Sequence, residues 1–118
     1  MANDPRVQFQ TPSGPVPRLF VSDTVTDTDG GRDILRDFWQ HPNADDITMV
    51  QLSLSPAASA GVYRSDGPGV TNGVGQFIPA GGAVLYLQSL AEVRNFRIQA
   101  TGVGNTMPLA ATAFLRLR

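Results

Sequence analysis

The chain of 118 residues contains no cysteine, no lysine, one histidine and one glutamate. Without cysteine it forms no disulfide framework, thiolate zinc site or iron–sulfur cluster. A single histidine, His41, leaves little material for metal ligation or acid–base catalysis. The sequence also lacks the Gly-x-Ser-x-Gly motif of a serine nucleophile and the Gly-Lys-Ser/Thr motif of a phosphate-binding loop. We therefore expect no enzymatic activity, no metal and no cofactor.

Charge is sparse and almost balanced. Charged residues form 16% of the chain, with nine basic and ten acidic side chains, whereas soluble domains average about 25%. The basic surplus of a nucleic-acid-binding protein is missing, and no apolar run reaches the ~18 residues of a membrane span. We also expect no secretory signal, because no basic segment precedes an apolar one at the N-terminus. Nucleic acid and membranes are therefore not expected as partners.

All nine basic residues are arginine. A GC-rich genome explains this bias without any functional meaning. The alternative is that the chain works in an assembly, since arginine is enriched at protein interfaces and lysine is depleted there.

The length fits a single domain, preceded by an extended N-terminal arm. Residues 1–17 contain four of the nine prolines, which disfavour helix and favour extended chain. Within this arm, residues 6–11 alternate polar and apolar side chains, with Val7 and Phe9 as the apolar ones. The alternation indicates a strand that docks on the chain's own sheet or on a neighbour's, whereas the alternative is a frayed terminus.

Residues 18–118 have the pattern of an all-β domain. Short apolar or alternating runs are separated by glycine and proline turns, and Asn72-Gly73 is a tight-turn signal. The runs predict strands at residues 17–22, 47–54, 61–64, 76–78, 83–88, 96–101 and 109–118. We interpret the domain as an antiparallel β-sandwich, either immunoglobulin-like or jelly-roll-like.

One short helix is predicted near residues 32–40. Its apolar face would carry Ile34, Leu35, Phe38 and Trp39. Asp29 suits the N-cap and Asp33 suits the first turn, while the dipeptide His41-Pro42 would end the helix.

A loose cation site is one interpretation of the four aspartates in this region, which are Asp23, Asp27, Asp29 and Asp33. The spacing is not that of an EF-hand, because aligning Gly30 with the invariant glycine places Val25 at the first ligand position. A polar loop with a helix cap explains the same residues, and we favour it.

His41 and two aromatic residues have structural and functional interpretations. His41 with Asp45 and Asp46 could form a metal or acid–base group, but a histidine is also favourable at a helix end for electrostatic reasons. Trp39 and Tyr63 could form a platform that stacks on sugars. Core packing is the competing interpretation, because Trp39 lies on the apolar face of the predicted helix.

The two ends of the chain carry opposite charge. Residues 1–46 hold eight acidic residues and four arginines, a net charge of −4, and residues 47–118 hold two acidic residues and five arginines, a net charge of +3. Copies could attract one another head to tail. We favour the alternative, in which the two halves neutralise each other within one molecule.

A succession of short motifs begins at Gly61. In order, these motifs are Val62-Tyr63, Val70-Thr71-Asn72-Gly73, Phe77-Ile78, Pro79-Ala80-Gly81-Gly82, Ala83–Gln88, Ser89-Leu90 and Asn95–Gly102. The succession of an aromatic strand, a Val-Thr-x-x-Gly turn, a Pro-x-Gly-Gly turn and two apolar strands resembles small virion proteins of tailed bacteriophages.

The resemblance implies a structural role without catalytic residues. It implies a capsid decoration or cement protein in the virion, assembled in the host cytoplasm, with the major capsid protein and copies of itself, as a trimer, for partners. Arg6, Val7 and Phe9 would anchor the arm, and Arg116 and Arg118 would pair with a neighbour's carboxylates. The alternatives are a head-completion, tail or baseplate component of the same virion, and a carbohydrate- or receptor-binding module.

Overall fold

Antiparallel strands in two sheets dominate the computed structural model, which describes the backbone of residues 7–10 and the whole of residues 18–67 and 75–116. The strands are β1 (Val7–Gln10), β2 (Arg18–Thr26), β3 (Ile47–Leu54), β4 (Gly61–Arg64), β5 (Gln76–Ile78), β6 (Ala83–Leu87), β7 (Arg97–Ala100) and β8 (Thr106–Leu115). The helices are α1 (Arg36–Trp39) and α2 (Leu90–Asn95), with one 3-10 turn at Ala44–Asp46. The prediction of an all-β, sandwich-like domain is confirmed.

The larger sheet has the strand order β1-β2-β8-β3-β6. Its longest strand, β8, pairs with β2 on one side and with β3 on the other. Successive side chains of a strand point to opposite faces, so alternate residues of these strands form one apolar face. The buried residues of that face are Leu19, Val21, Val25, Ile47, Val50, Leu52, Leu54, Leu87, Met107, Leu109, Ala111, Ala113 and Leu115.

The smaller sheet has the order β5-β4-β7 and packs on the same core. Together with the helices it contributes the buried residues Ile34, Leu35, Phe38, Ile78, Val93, Phe96, Ile98 and Ala100 to one hydrophobic cluster. Two layers around one apolar cluster are the usual way for sheets to exclude water.

The strand predictions at 47–54, 61–64 and 76–78 agree with β3, β4 and β5. β2 is longer than predicted, because β8 supplies a pairing partner as far as Thr26, which lies opposite Thr106. Pairing with β8 therefore holds in a strand the polar residues that resemble a loop in the sequence.

Helix α1 is shorter than the predicted helix, because turns precede it and it begins only at Arg36. Leu35 stands at the N-cap position without a side-chain hydrogen bond, so the prediction that Asp29 caps the helix is wrong. The Asp29 carboxylate is instead engaged within its own loop, where it accepts a hydrogen bond from the Thr26 N–H at 2.7 Å.

Helix α2 is not among the elements predicted from the sequence. The Ser89 Oγ accepts a hydrogen bond from the Glu92 N–H at 3.1 Å, and the Glu92 carboxylate accepts one from the Gln88 N–H at 3.1 Å. Ser-x-x-Glu is the sequence signature of such a capping box, so the signal was present in a helix too short to show periodicity. Within the described ranges, no helix combines the length and hydrophobicity needed to cross a membrane.

Part of the N-terminal arm belongs to the larger sheet. β1 pairs antiparallel with β2, with Val7 opposite Val21 and Phe9 opposite Leu19. The structure therefore pairs this segment with the chain's own sheet. Residues 1–6 and 11–17 of the predicted arm lie outside the described residues.

We predict that Gly61→Ala destabilises the domain. A Cβ atom at this position would lie 2.6 Å from the carbonyl oxygen of Gln99 and would also press on the Met107 side chain. Overpacking of this kind costs about 1–3 kcal/mol, which denaturant unfolding would measure. Gly31→Ala is the control, because nothing lies within 4 Å of its Cβ position. Equal stabilities of the two variants would contradict the prediction.

Candidate functional site

Of the five predicted partner-binding residues, Arg116 is the one whose side chain the structure describes. Its Nη2 donates a hydrogen bond to the Asp45 carbonyl oxygen at 3.1 Å, and its Nε lies 4.0 Å from the Asp46 carboxylate. The side chain is 62% exposed, so these contacts leave it accessible to a partner. Pairing of Arg116 with a neighbour's carboxylate stays a prediction.

The backbone of β1 places two other predicted residues at different distances from Arg116. Phe9 lies next to Gln10, which is in line with Arg18 and Phe114 and therefore close to Arg116, whereas Val7 is at the opposite end of β1. Arg6 and Arg118 lie outside the described residues, as do the side chains of Val7 and Phe9.

An arginine occupies the position where a cation would bind the acidic loop. Arg32 Nη1 lies 3.0 Å from an Asp23 carboxylate oxygen, and its Nη2 lies 3.1 Å from an Asp29 carboxylate oxygen. Nη2 also donates to the Thr24 carbonyl oxygen at 3.2 Å. The guanidinium group thus ties the loop to β2 and neutralises both carboxylates.

The other two aspartates of the region have separate partners. Asp27 accepts a hydrogen bond from the Gly104 N–H at 3.2 Å. Asp33 precedes α1 rather than lying in its first turn, and it accepts a hydrogen bond from the Trp39 indole N–H at 2.8 Å. In residues 18–67 and 75–116, no three acidic or histidine side chains are grouped so that they could hold a metal ion.

His41 also has a local structural contact. Its Nδ1 accepts a hydrogen bond from the Asn43 N–H at 3.0 Å, in the turn that follows α1. Burial lowers the pKa of His41 below its usual value of 6.5. Both features fit a mainly neutral imidazole that stabilises the turn.

Trp39 and Tyr63 do not form an open aromatic platform. The Arg94 guanidinium stacks over the Trp39 ring at 5.1 Å from its centroid. Tyr63 is half-buried, and its ring centroid lies 6.1 Å from that of Phe96. Both rings pack against the core cluster, which disfavours the sugar-stacking interpretation.

The outer face of the larger sheet carries almost no charge. Among the side chains that the structure describes, alternation and register place fifteen on it, five from β2, five from β8, three from β3 and two from β6. They are Arg18, Phe20, Ser22, Thr24, Thr26, Met49, Gln51, Ser53, Val84, Tyr86, Thr106, Pro108, Ala110, Thr112 and Phe114. None of them is buried, and Arg18 is the one charged member.

This outer face has an aromatic end and a hollow end. At the aromatic end, the Arg18 guanidinium lies 5.2 Å from the Phe114 ring centroid, and Phe20 lies beside them on β2. At the other end lies a hollow of about 600 Å³, whose lining is mostly small or uncharged residues and also includes Asp23. Its floor includes Ser22, Ser53 and Ala110, which are in register across three strands. The hollow can accept a protruding side chain or a short segment of a partner.

Sequence reasoning missed this outer face, although part of its signal is visible. The alternation of β8 separates Leu109 and Ala111 from Ala110 and Thr112. The sequence does not show which strands lie beside β8, so it cannot show that the outward residues of β2 and β3 continue the same uncharged surface.

Comparison of the chain with protein-family models, curated proteins and solved structures finds no match.

We predict that Arg32→Gln raises the pKa of Asp29. Burial alone would raise this pKa, but hydrogen bonds from Arg32 and from the Thr26 N–H, with the positive charge of Arg32, lower it below the usual 3.8. The folded state then binds protons less readily than the unfolded state. The resulting stabilisation is complete above the unfolded-state pKa of 3.8 and is lost as pH falls through the folded-state pKa.

Carboxylate NMR titration would measure the pKa of Asp29 in both proteins, and acid unfolding would show a smaller loss of stability with falling pH in the variant. Arg64→Gln is the matched control, because Arg64 pairs with the exposed Asp66. An Asp29 titration unaltered by Arg32→Gln would show that the arginine does not hold this loop.

Proposed function

We propose that the chain is a non-enzymatic structural protein of a tailed-bacteriophage virion, where it decorates the capsid by binding the major capsid protein. The observation that supports this proposal most strongly is the outer face of the larger sheet, where fifteen accessible side chains include one charge. The resemblance of the segment that begins at Gly61 to phage virion proteins supplies the more specific assignment.

The residue types of this outer face are those of a protein interface. Interface centres are depleted in charged residues other than arginine and enriched in aromatic residues, methionine and arginine. The face presents Phe20, Phe114, Tyr86, Met49 and Arg18 together at its aromatic end. Covering it would remove aromatic surface from water at little desolvation cost, because few charges have to lose their hydration.

A capsid gives such a surface many equivalent binding positions. Symmetric assembly repeats the same contact, and copies that also touch one another gain affinity by multivalency. The accessible side chain of Arg116 and the strand β1 at the outer edge of the sheet add further contact groups around this outer face.

Quantitative mass spectrometry of purified particles tests the assignment. The particles come from cells that carry the gene for this chain, and the chain is compared in copy number with the major capsid protein. A comparable copy number supports decoration. A far smaller one overturns it in favour of a head-completion, tail or baseplate position, and absence from particles overturns the virion assignment.

We predict that Ala110→Arg abolishes most particle binding without unfolding the domain. The exposed Ala110 forms the floor of the hollow, so an arginine there fills the space and adds a charge to the contact. Affinity in co-sedimentation with undecorated capsids should fall by about tenfold or more, which corresponds to ~1.4 kcal/mol.

Val103→Arg is the matched control, because Val103 is 98% exposed in the turn before β8, is not one of the fifteen outer-face side chains and does not line the hollow. It adds the same charge and should leave binding unchanged. Equal binding by the two variants would remove the outer face from the proposed contact.

A further inference from the structure

One lateral side of the sandwich combines two strand edges with exposed apolar side chains. β6 ends the larger sheet and β5 ends the smaller one, and the short connection 79–82 keeps these edges on the same side. In the described residues, four large hydrophobic side chains are strongly exposed, and three of them lie here: Phe77 at 68%, Val84 at 49% and Tyr86 at 54%.

Within its own described residues, β6 has no charged side chain, proline or bulge to protect its free edge from pairing. Natural sheets protect edge strands with charged residues, proline or bulges. β6 has the sequence Ala-Val-Leu-Tyr-Leu, with no charge and no proline, and it pairs with β3 without a break in register. β7, an edge of the smaller sheet, differs because it begins with the charged Arg97.

From this edge we infer that β6 pairs antiparallel with β6 of a second copy, which makes the protein a dimer with one continuous sheet of ten strands. The two-fold axis passes through the pair formed by Leu85 and its equivalent. The backbone N–H and C=O groups on the free side of each β6, which no described strand pairs, then bond to those of the other copy, as in other cases of strand addition.

This register makes the strand complementary to itself. On the outer face, Val84 of one copy lies opposite Tyr86 of the other, and this β-branched–aromatic pair is among the favourable cross-strand pairs. On the inner face, half-buried Leu85 meets its equivalent, and Ala83 meets Leu87. No like charges face each other, because the strand has none.

Among the described residues, β6 pairs with β3 alone, so no described strand covers its other side. A cleft of about 450 Å³, lined by Tyr86 and Leu87 of β6 and by Tyr63 and Gln76 of the smaller sheet, lies beside the C-terminal end of β6. The described residues therefore leave space for a partner strand beside this end of the edge. The dimer differs from the trimer that the resemblance implies, and it does not depend on the virion assignment.

Sedimentation equilibrium of the full chain, up to about 1 mM, tests the inference. We expect the wild type to have twice the monomer mass of 12.6 kDa. In the variant Val84→Lys/Tyr86→Lys, introduced lysines face each other twice across the dimer, so the dissociation constant should rise by about tenfold or more. In Val84→Lys/Tyr86→Glu, each introduced lysine faces an introduced glutamate, and dimerisation should recover.

The second variant carries as many new charges as the first at the same exposed positions, so its recovery tests the register and not the general effect of charge. Circular dichroism checks that each variant is folded. A monomeric or trimeric wild type, a dimer insensitive to the two lysines, or a failure of the Lys/Glu variant to recover would overturn the inference. Particle binding is tested separately through Ala110, so each proposal can fail without the other.

Discussion

The alternation of β8 is the constraint on which both faces of the larger sheet depend. The strand pairs with β2 and β3 over most of its length. Its register therefore determines which side chains of all three strands point into the core and which point outward. Burial of Leu109 and Ala111 on one side obliges Ala110 and Thr112 to face outward. A slip by one residue would exchange the two sets, which would expose the core and bury polar side chains. The register of β8 therefore determines both the core and the candidate docking surface.

Ion pairs within the molecule engage several of the charged residues that lie away from this surface. Arg97 lies 3.7 Å from Asp33, and Arg116 lies 4.0 Å from Asp46. Both pairs join the basic C-terminal part of the sequence to the acidic N-terminal part, as expected for neutralisation within one chain. Arg32 neutralises Asp23 and Asp29 beside the sheet. Apart from Arg18, the described charged side chains lie off the outer face of the sheet, which is left to uncharged side chains.

The elements that depend on a local residue pattern could be predicted from the sequence. The features that depend on a partner far along the chain could not. β3, β4 and β5 have apolar runs bounded by turn residues, and their limits were predicted. The polar residues of β2 after Ser22 resemble a loop in the sequence. They form a strand because β8, which is far along the chain, pairs with them as far as Thr26. The role of Arg32 was missed for the same reason: its contact with Asp23 spans nine positions and has no periodicity. The candidate site was missed because it exists only once three strands are aligned.

Dimerisation through the β6 edge is compatible with partner binding through the outer face of the larger sheet. A two-fold axis perpendicular to a sheet, the symmetry of antiparallel strand pairing, leaves the outer faces of both copies on the same side. A dimer through β6 would therefore present two hollows and two aromatic ends toward one partner surface, offset by the twist of the sheet. Two weak contacts made by a rigid unit bind far more tightly than either alone, provided that the spacing of the partner sites matches. A small, weakly charged domain could thus bind firmly to a repeating protein surface without a large interface on any single copy.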